Sequence, residues 1–110
     1  MKYISLHIVA KGKREHLINE RLLKSIVRKA IVQSEVKLLK TAVCRYPRGG
    51  LSIIFFVGIS HVTLHTWPEY GLVIIEIFLC KGSPLTLWES IKESLKLEGE
   101  KINKIVYEIG

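Results

Sequence analysis

The chain has 110 residues, 48% apolar and 25% charged, which makes one domain with a compact core and leaves no room for a second. It contains no aspartate, which excludes a Ser-His-Asp triad and Asp-based magnesium or calcium sites; its two cysteines, Cys44 and Cys80, form neither a CxxC pair nor a zinc framework. The net charge of +7 is uneven, since residues 1–59 hold 12 Lys/Arg against 3 Glu and residues 60–110 hold 5 Lys against 7 Glu.

Residues 2–9 are expected to form a β-strand. Residues 14–33 read as one amphipathic helix, with Leu17, Ile18, Leu22, Leu23, Ile26, Val27, Ala30 and Ile31 near helical spacing and basic residues opposite. Residues 36–46 have the mixed pattern of a strand, and Pro47-Arg48-Gly49-Gly50 signals a turn. Residues 51–58 form an apolar strand, expected to be buried on both faces or at a subunit contact. Over 61–67, period-two geometry puts His61, Thr63 and His65 on one face and Val62, Leu64 and Thr66 on the other. After a turn at Pro68–Gly71 come a strand at 72–79, a helix at 84–97 with Ser83 as N-cap and Pro84 at its first position, and a last strand at 102–109.

The order is taken as β-α-β-β-β-α-β. Short turns make the middle strands antiparallel neighbours, because parallel pairing needs long crossovers. The predicted fold is α+β: a two-layer sandwich, mainly antiparallel, with two helices on one face of the sheet. One domain spans residues 1–110. Its high apolar content for so short a chain points to an apolar face covered by a second copy.

The basic excess lies in Lys11, Lys13, Arg14, Arg21, Lys24, Arg28 and Lys29. No RNA-binding aromatic signature accompanies it, so a solvated basic helix face is expected rather than a nucleic-acid site. No apolar run reaches the length of a membrane span, and the first residues lack a signal-peptide layout. A cytoplasmic location with both cysteines as thiols is therefore expected.

The densest chemistry lies in Ser60-His61-Val62-Thr63-Leu64-His65-Thr66-Trp67-Pro68-Glu69. Taken singly, these residues are ordinary: a serine before a strand is structural, and a lone cysteine such as Cys80 is a small buried apolar residue. The ordered set resembles the self-cleavage motif of the prokaryotic, pyruvoyl-dependent S-adenosylmethionine decarboxylase proenzymes. That pattern runs Glu-Ser-His, a few β-formers, then His-Thr-Trp-Pro-Glu. The resemblance extends without a gap upstream to Ser52 and Tyr46 and downstream to Cys80, Pro84 and Trp88. It covers residues 44–110 well and is looser before them, where Ser5-Leu6-His7-Ile8-Val9 looks like the family's opening strand.

The resemblance implies a role for each residue. Ser60 is the precursor of a pyruvoyl group, released by cleavage between Ile59 and Ser60. Its hydroxyl attacks the Ile59 carbonyl, and the resulting ester eliminates when a base removes the Ser60 Cα proton. Gly58 supplies local freedom, His65 is the candidate base, and Ser52 assists. The pyruvoyl ketone then forms a Schiff base with a substrate amine and accepts the electrons released by decarboxylation, as pyridoxal phosphate does. Cys80 is the implied proton donor. Tyr46 and Trp67 contact an adenine-bearing substrate, for which aromatic faces are suited, and Glu69 binds its ribose diol. The implied assembly is a homodimer with shared active sites, serving polyamine (spermidine) synthesis. Ile59 stands where the family usually has glutamate. Two alternatives accompany the leading reading: a pyruvoyl arginine decarboxylase, and an uncleaved non-catalytic paralogue acting as a binding or partner subunit.

Overall fold

Side chains alternate between the two faces along each strand, and the resulting sheet has a single covered side. The computed structural model describes residues 1–110. Its elements are β1 (Lys2–Lys11), α1 (Arg14–Leu17), α2 (Glu20–Gln33), β2 (Lys40–Arg45), β3 (Leu51–Val57), β4 (Ser60–Trp67), β5 (Leu72–Leu79), α3 (Pro84–Leu95) and β6 (Glu98–Glu108). The strands form one sheet in the order β2-β3-β4-β5-β1-β6, antiparallel at every pairing. The α+β sandwich is as expected. Four strands lie between the long helices, one more than the order β-α-β-β-β-α-β counts, and the mixed-pattern segment 36–46 is a strand as expected, over Lys40–Arg45.

The covered face carries Leu6, Ile8, Ile53, Phe55, Leu64 and Ile75 against Leu23, Val27 and Ile31 of α2 and Leu87, Trp88 and Ile91 of α3, all in one buried cluster. Each fully buried side chain of this size contributes about 1.5–3 kcal/mol relative to exposure. The other face has no helix over it. Ile54, Ile74 and Phe78 are half-buried there and Phe56 is exposed. The β3 segment is therefore buried on one face only, not on both.

The single helix expected over 14–33 is interrupted. Asn19 is extended, and its side chain accepts a 3.0 Å hydrogen bond from the Leu22 N–H, which starts α2 afresh as an N-cap. At α3, Ser83 caps as predicted, accepting from the Thr86 N–H at 3.2 Å. This helix stops at Leu95, two residues early, because Lys96 adopts the left-handed conformation (φ 54°) that closes it. The last strand starts four residues before the predicted one, since pairing with β1 carries the charged segment Glu98–Lys101 into the ladder.

Candidate active site

Two turns frame the 60–69 segment. Val57 pairs with Ser60 across a two-residue hairpin in which Gly58 is left-handed (φ 63°) and the Ile59 side chain is 72% exposed. The bond between Ile59 and Ser60 thus sits at a tight, solvent-facing loop tip. At the far end of β4, Pro68–Tyr70 forms a 3₁₀ turn that carries Glu69. The Pro47–Gly49 turn lies beside it, and Gly50 packs closely there, since a Cβ would approach the Thr66 carbonyl to 3.0 Å.

Ser60 is buried, and its Oγ lies 3.9 Å from the Cys80 Sγ. Both cysteines are free thiols, as expected. A cavity of about 460 Å³ opens beside Ile59, Ser60 and Cys80. Tyr3 joins them: the β1–β5 register pairs Ile4 with Leu79, which brings Tyr3 next to Cys80. Its ring stacks on Phe78 at 4.5 Å. Burial first, then its hydrogen bond to Cys80 and that group's charge, raise the Tyr3 hydroxyl above the ordinary phenol value. No local sequence pattern announces this contact; it follows from the register between distant strands.

The second cluster occupies the other end of β4. Ser52 and His65 are cross-strand partners, and Ser52 Oγ lies 2.7 Å from His65 Nδ1. The Tyr46 hydroxyl bonds Ser52 Oγ at 3.1 Å. Trp67 is tilted against His65 at a centroid distance of 6.4 Å. Tyr46, Ser52, His65, Trp67 and Glu69 line a cavity of about 400 Å³. Thr66 points to the opposite face and accepts from the Leu51 N–H at 3.0 Å, fixing the turn against the strand.

The predicted site residues therefore fall into two groups. Ser60, Ile59 and Cys80 are together, and so are Tyr46, Ser52, His65, Trp67 and Glu69. Ser60 and His65 are not brought together within one chain: five residues of extended strand separate them by roughly 17 Å.

The sequence pattern of the S-adenosylmethionine decarboxylase family matches residues 7–106. The chain belongs to this family. It is 30% identical over 114 residues to the S-adenosylmethionine decarboxylase proenzyme of Thermotoga maritima, covering 100% of this chain and 87% of that protein. The proenzyme of the same name from Archaeoglobus fulgidus is 32% identical over 107 residues, covering 94% of this chain and 91% of the relative. An arginine decarboxylase proenzyme of Ignicoccus hospitalis is 33% identical over 86 residues, covering 74% and 60%. The crystal structure of the Aquifex aeolicus VF5 adenosylmethionine decarboxylase superposes with a TM-score of 0.80 at 18% identity, over 100% of this chain and 91% of that one, which establishes the shared fold.

The basic residues of α2 stand apart from both clusters of this decarboxylase-family chain. Arg21, Lys24 and Arg28 line a shallow groove of about 560 Å³ closed by Arg45. Glu20 pairs with Lys24 at 3.4 Å and with Arg45. No helix is long and apolar enough to cross a membrane.

Proposed function

We propose that the chain is the proenzyme of a pyruvoyl-dependent S-adenosylmethionine decarboxylase that cuts itself between Ile59 and Ser60 and acts as a homodimer. The observation that carries this reading is the division of the 60–69 motif into two half-sites at opposite ends of β4, each with its own cavity. One half holds the nucleophile and a thiol; the other holds the imidazole, the aromatic faces and the carboxylate. His65, Ser52 and Trp67 lie on the uncovered face of the sheet, beside the apolar residues Ile54, Ile74 and Phe56. Two copies stacked through that face about a two-fold axis bring the Ser60 end of each over the His65 end of the other.

Self-cleavage uses the chain's own atoms. Ser60 Oγ attacks the Ile59 carbonyl carbon, and the peptide C–N bond breaks as the Ser60 nitrogen takes a proton, leaving an ester. His65 of the second copy removes the Ser60 Cα proton. The Cβ–O bond then breaks, with the Ile59 carboxylate as leaving group, and dehydroalanine remains at residue 60. Water hydrolyses its imine form, releasing ammonia and leaving a pyruvoyl group on residues 60–110. The Ser60 pocket fits this group: the hydroxyl is buried, and a thiol stands 3.9 Å away beside an open cavity. The pyruvoyl carbonyl supplies an electron sink to a substrate amine. Cys80 holds the proton that returns to the substrate carbon. Tyr46 and Trp67 offer faces to an adenine and a sulfonium, and Glu69 accepts two hydrogen bonds from a ribose diol. The product serves as an aminopropyl donor for spermidine.

Arginine is the second substrate reading, favoured by the similarity to the Ignicoccus protein. An intact denaturing mass spectrum, fresh and after warm incubation, tests the enzyme reading. Chains of residues 1–59 and 60–110 are expected, the second lighter by one ammonia than a serine-started peptide. A single 12.6 kDa species that persists would overturn the reading and leave a binding or partner subunit with the family fold.

A further inference from the structure

The hydroxyl of Tyr46 has no part in stacking on a planar substrate, yet it is committed to a partner. It reaches Ser52 Oγ at 3.1 Å, and Ser52 Oγ in turn lies 2.7 Å from His65 Nδ1. The backbone holds this chain in place. The Tyr46 N–H donates to the Gly50 carbonyl at 2.9 Å across the Pro47–Gly49 turn, and Ser52 faces His65 through the β3–β4 register. Three residues from a turn and two strands thus form one line of hydrogen bonds ending on the imidazole.

We infer that Tyr46 is a positioning residue for self-cleavage, whose hydroxyl fixes the Ser52–His65 pair in the arrangement that leaves His65 Nε2 free as a base. This rests on the self-cleavage reading above.

A phenol is the stronger acid of the two hydroxyls, so Tyr46 donates and Ser52 accepts. A serine oxygen has two lone pairs and one proton. His65 serves as a base through Nε2 only if the ring proton sits on Nδ1, and that proton then donates to the second lone pair of Ser52. The separation of 2.7 Å is within the range of such a bond. With both lone pairs occupied, the one remaining direction at Ser52 Oγ carries its own proton, which faces the cavity as a donor for a reacting carbonyl. Removing the Tyr46 hydroxyl leaves that proton two directions to choose from and leaves the imidazole tautomer unfixed.

The test compares Tyr46→Phe and Tyr46→Leu in the full chain. Tyr46→Phe is expected to slow cleavage about fivefold, the worth of one neutral hydrogen bond, with Tyr46→Leu slowed to the same extent because the ring itself is not used in this step. Binding of an adenosyl ligand separates the variants the other way: Phe retains it and Leu loses it. The second readout does not depend on cleavage. In the Ser60→Ala background, the ¹⁵N spectrum of His65 at neutral pH is expected to show a protonated Nδ1 and a bare Nε2, and both tautomers once Tyr46→Phe is added. Cleavage of Tyr46→Phe at the wild-type rate, or a bare Nδ1 in Ser60→Ala, would overturn the inference. A wild-type chain that never splits would instead remove the enzyme reading, with the ¹⁵N result still deciding the hydrogen-bond arrangement.

Discussion

Ser60 and His65 lie at opposite ends of the same strand, five residues apart, with Ser60 beside Cys80 and His65 beside Ser52. No side-chain rotation brings them within reach, so chemistry that uses both requires two chains. Co-expression of Ser60→Ala with His65→Ala chains is the direct test. Either variant alone is expected to stay whole. In mixed dimers the His65→Ala chain, which keeps its Ser60, is cut by the partner's imidazole, while the Ser60→Ala chain remains intact. A His65→Ala chain that splits by itself would dismiss the shared site.

The uncovered sheet face offers a contrast between stability and assembly. Phe55 is buried beneath the helices, and Phe55→Ala is expected to cost about 3–5 kcal/mol in chemical denaturation. Ile74 faces the other way, paired with His65 on one side and Val9 on the other. Ile74→Lys is expected to convert the protein to a monomer that does not cleave, with a denaturation midpoint that no longer depends on protein concentration. Retained dimer by light scattering would mean that another surface joins the copies.

Glu69 separates the two candidate substrates. It lines the same cavity as Trp67 and is suited to a vicinal diol. Glu69→Gln is expected to weaken an adenosyl ligand about 10- to 100-fold, as for loss of hydrogen bonds to a charged group. Calorimetric titration with S-adenosylmethionine checks this; unchanged affinity would favour the arginine reading.

Lys92 and Glu100 tie α3 to β6 at 2.6 Å. The hydrogen bond from Lys92 is the main cause that holds the Glu100 carboxyl below its ordinary 4.5, and the same bond raises Lys92 above its ordinary 10.5. The carboxylate's contribution to stability is present above its unfolded value and lost as pH falls through the folded one. The lysine's contribution is present below its unfolded value and lost as pH rises through the folded one. The pair is partly exposed, so the effect is small. Glu100→Gln is expected to lower the urea midpoint slightly at neutral pH and to match wild type once Glu100 is protonated. A gap unchanged down to the acid limit would mean that the ion pair contributes nothing.

Much of this was legible in the chain. Period two on residues 61–67 assigned His61, Thr63 and His65 to one face and Val62, Leu64 and Thr66 to the other, and the helical spacing of Leu23, Val27, Ala30 and Ile31 marked what α2 buries. The Ser83 cap was legible because its side chain bonds within three residues. The break at Asn19 was missed although it uses the same chemistry, because the apolar spacing runs on through it. Lys96 ends α3 where no glycine gives warning. The neighbours Tyr3 and Cys80 depend on the register between distant strands, which no local pattern carries, whereas the separation of Ser60 and His65 along one strand was there to be read.

The order of strands in the sheet has a consequence for a chain nicked at its β3–β4 hairpin. The piece ending at residue 59 owns β1, β2 and β3, and the piece starting at residue 60 owns β4, β5 and β6. In the sheet they alternate: β2-β3 from the first, β4-β5 from the second, then β1 and β6, one from each. The fragments are interleaved across three ladders, so cutting the backbone does not let them drift apart. They part only by unfolding, and a severed molecule behaves as a permanently assembled pair.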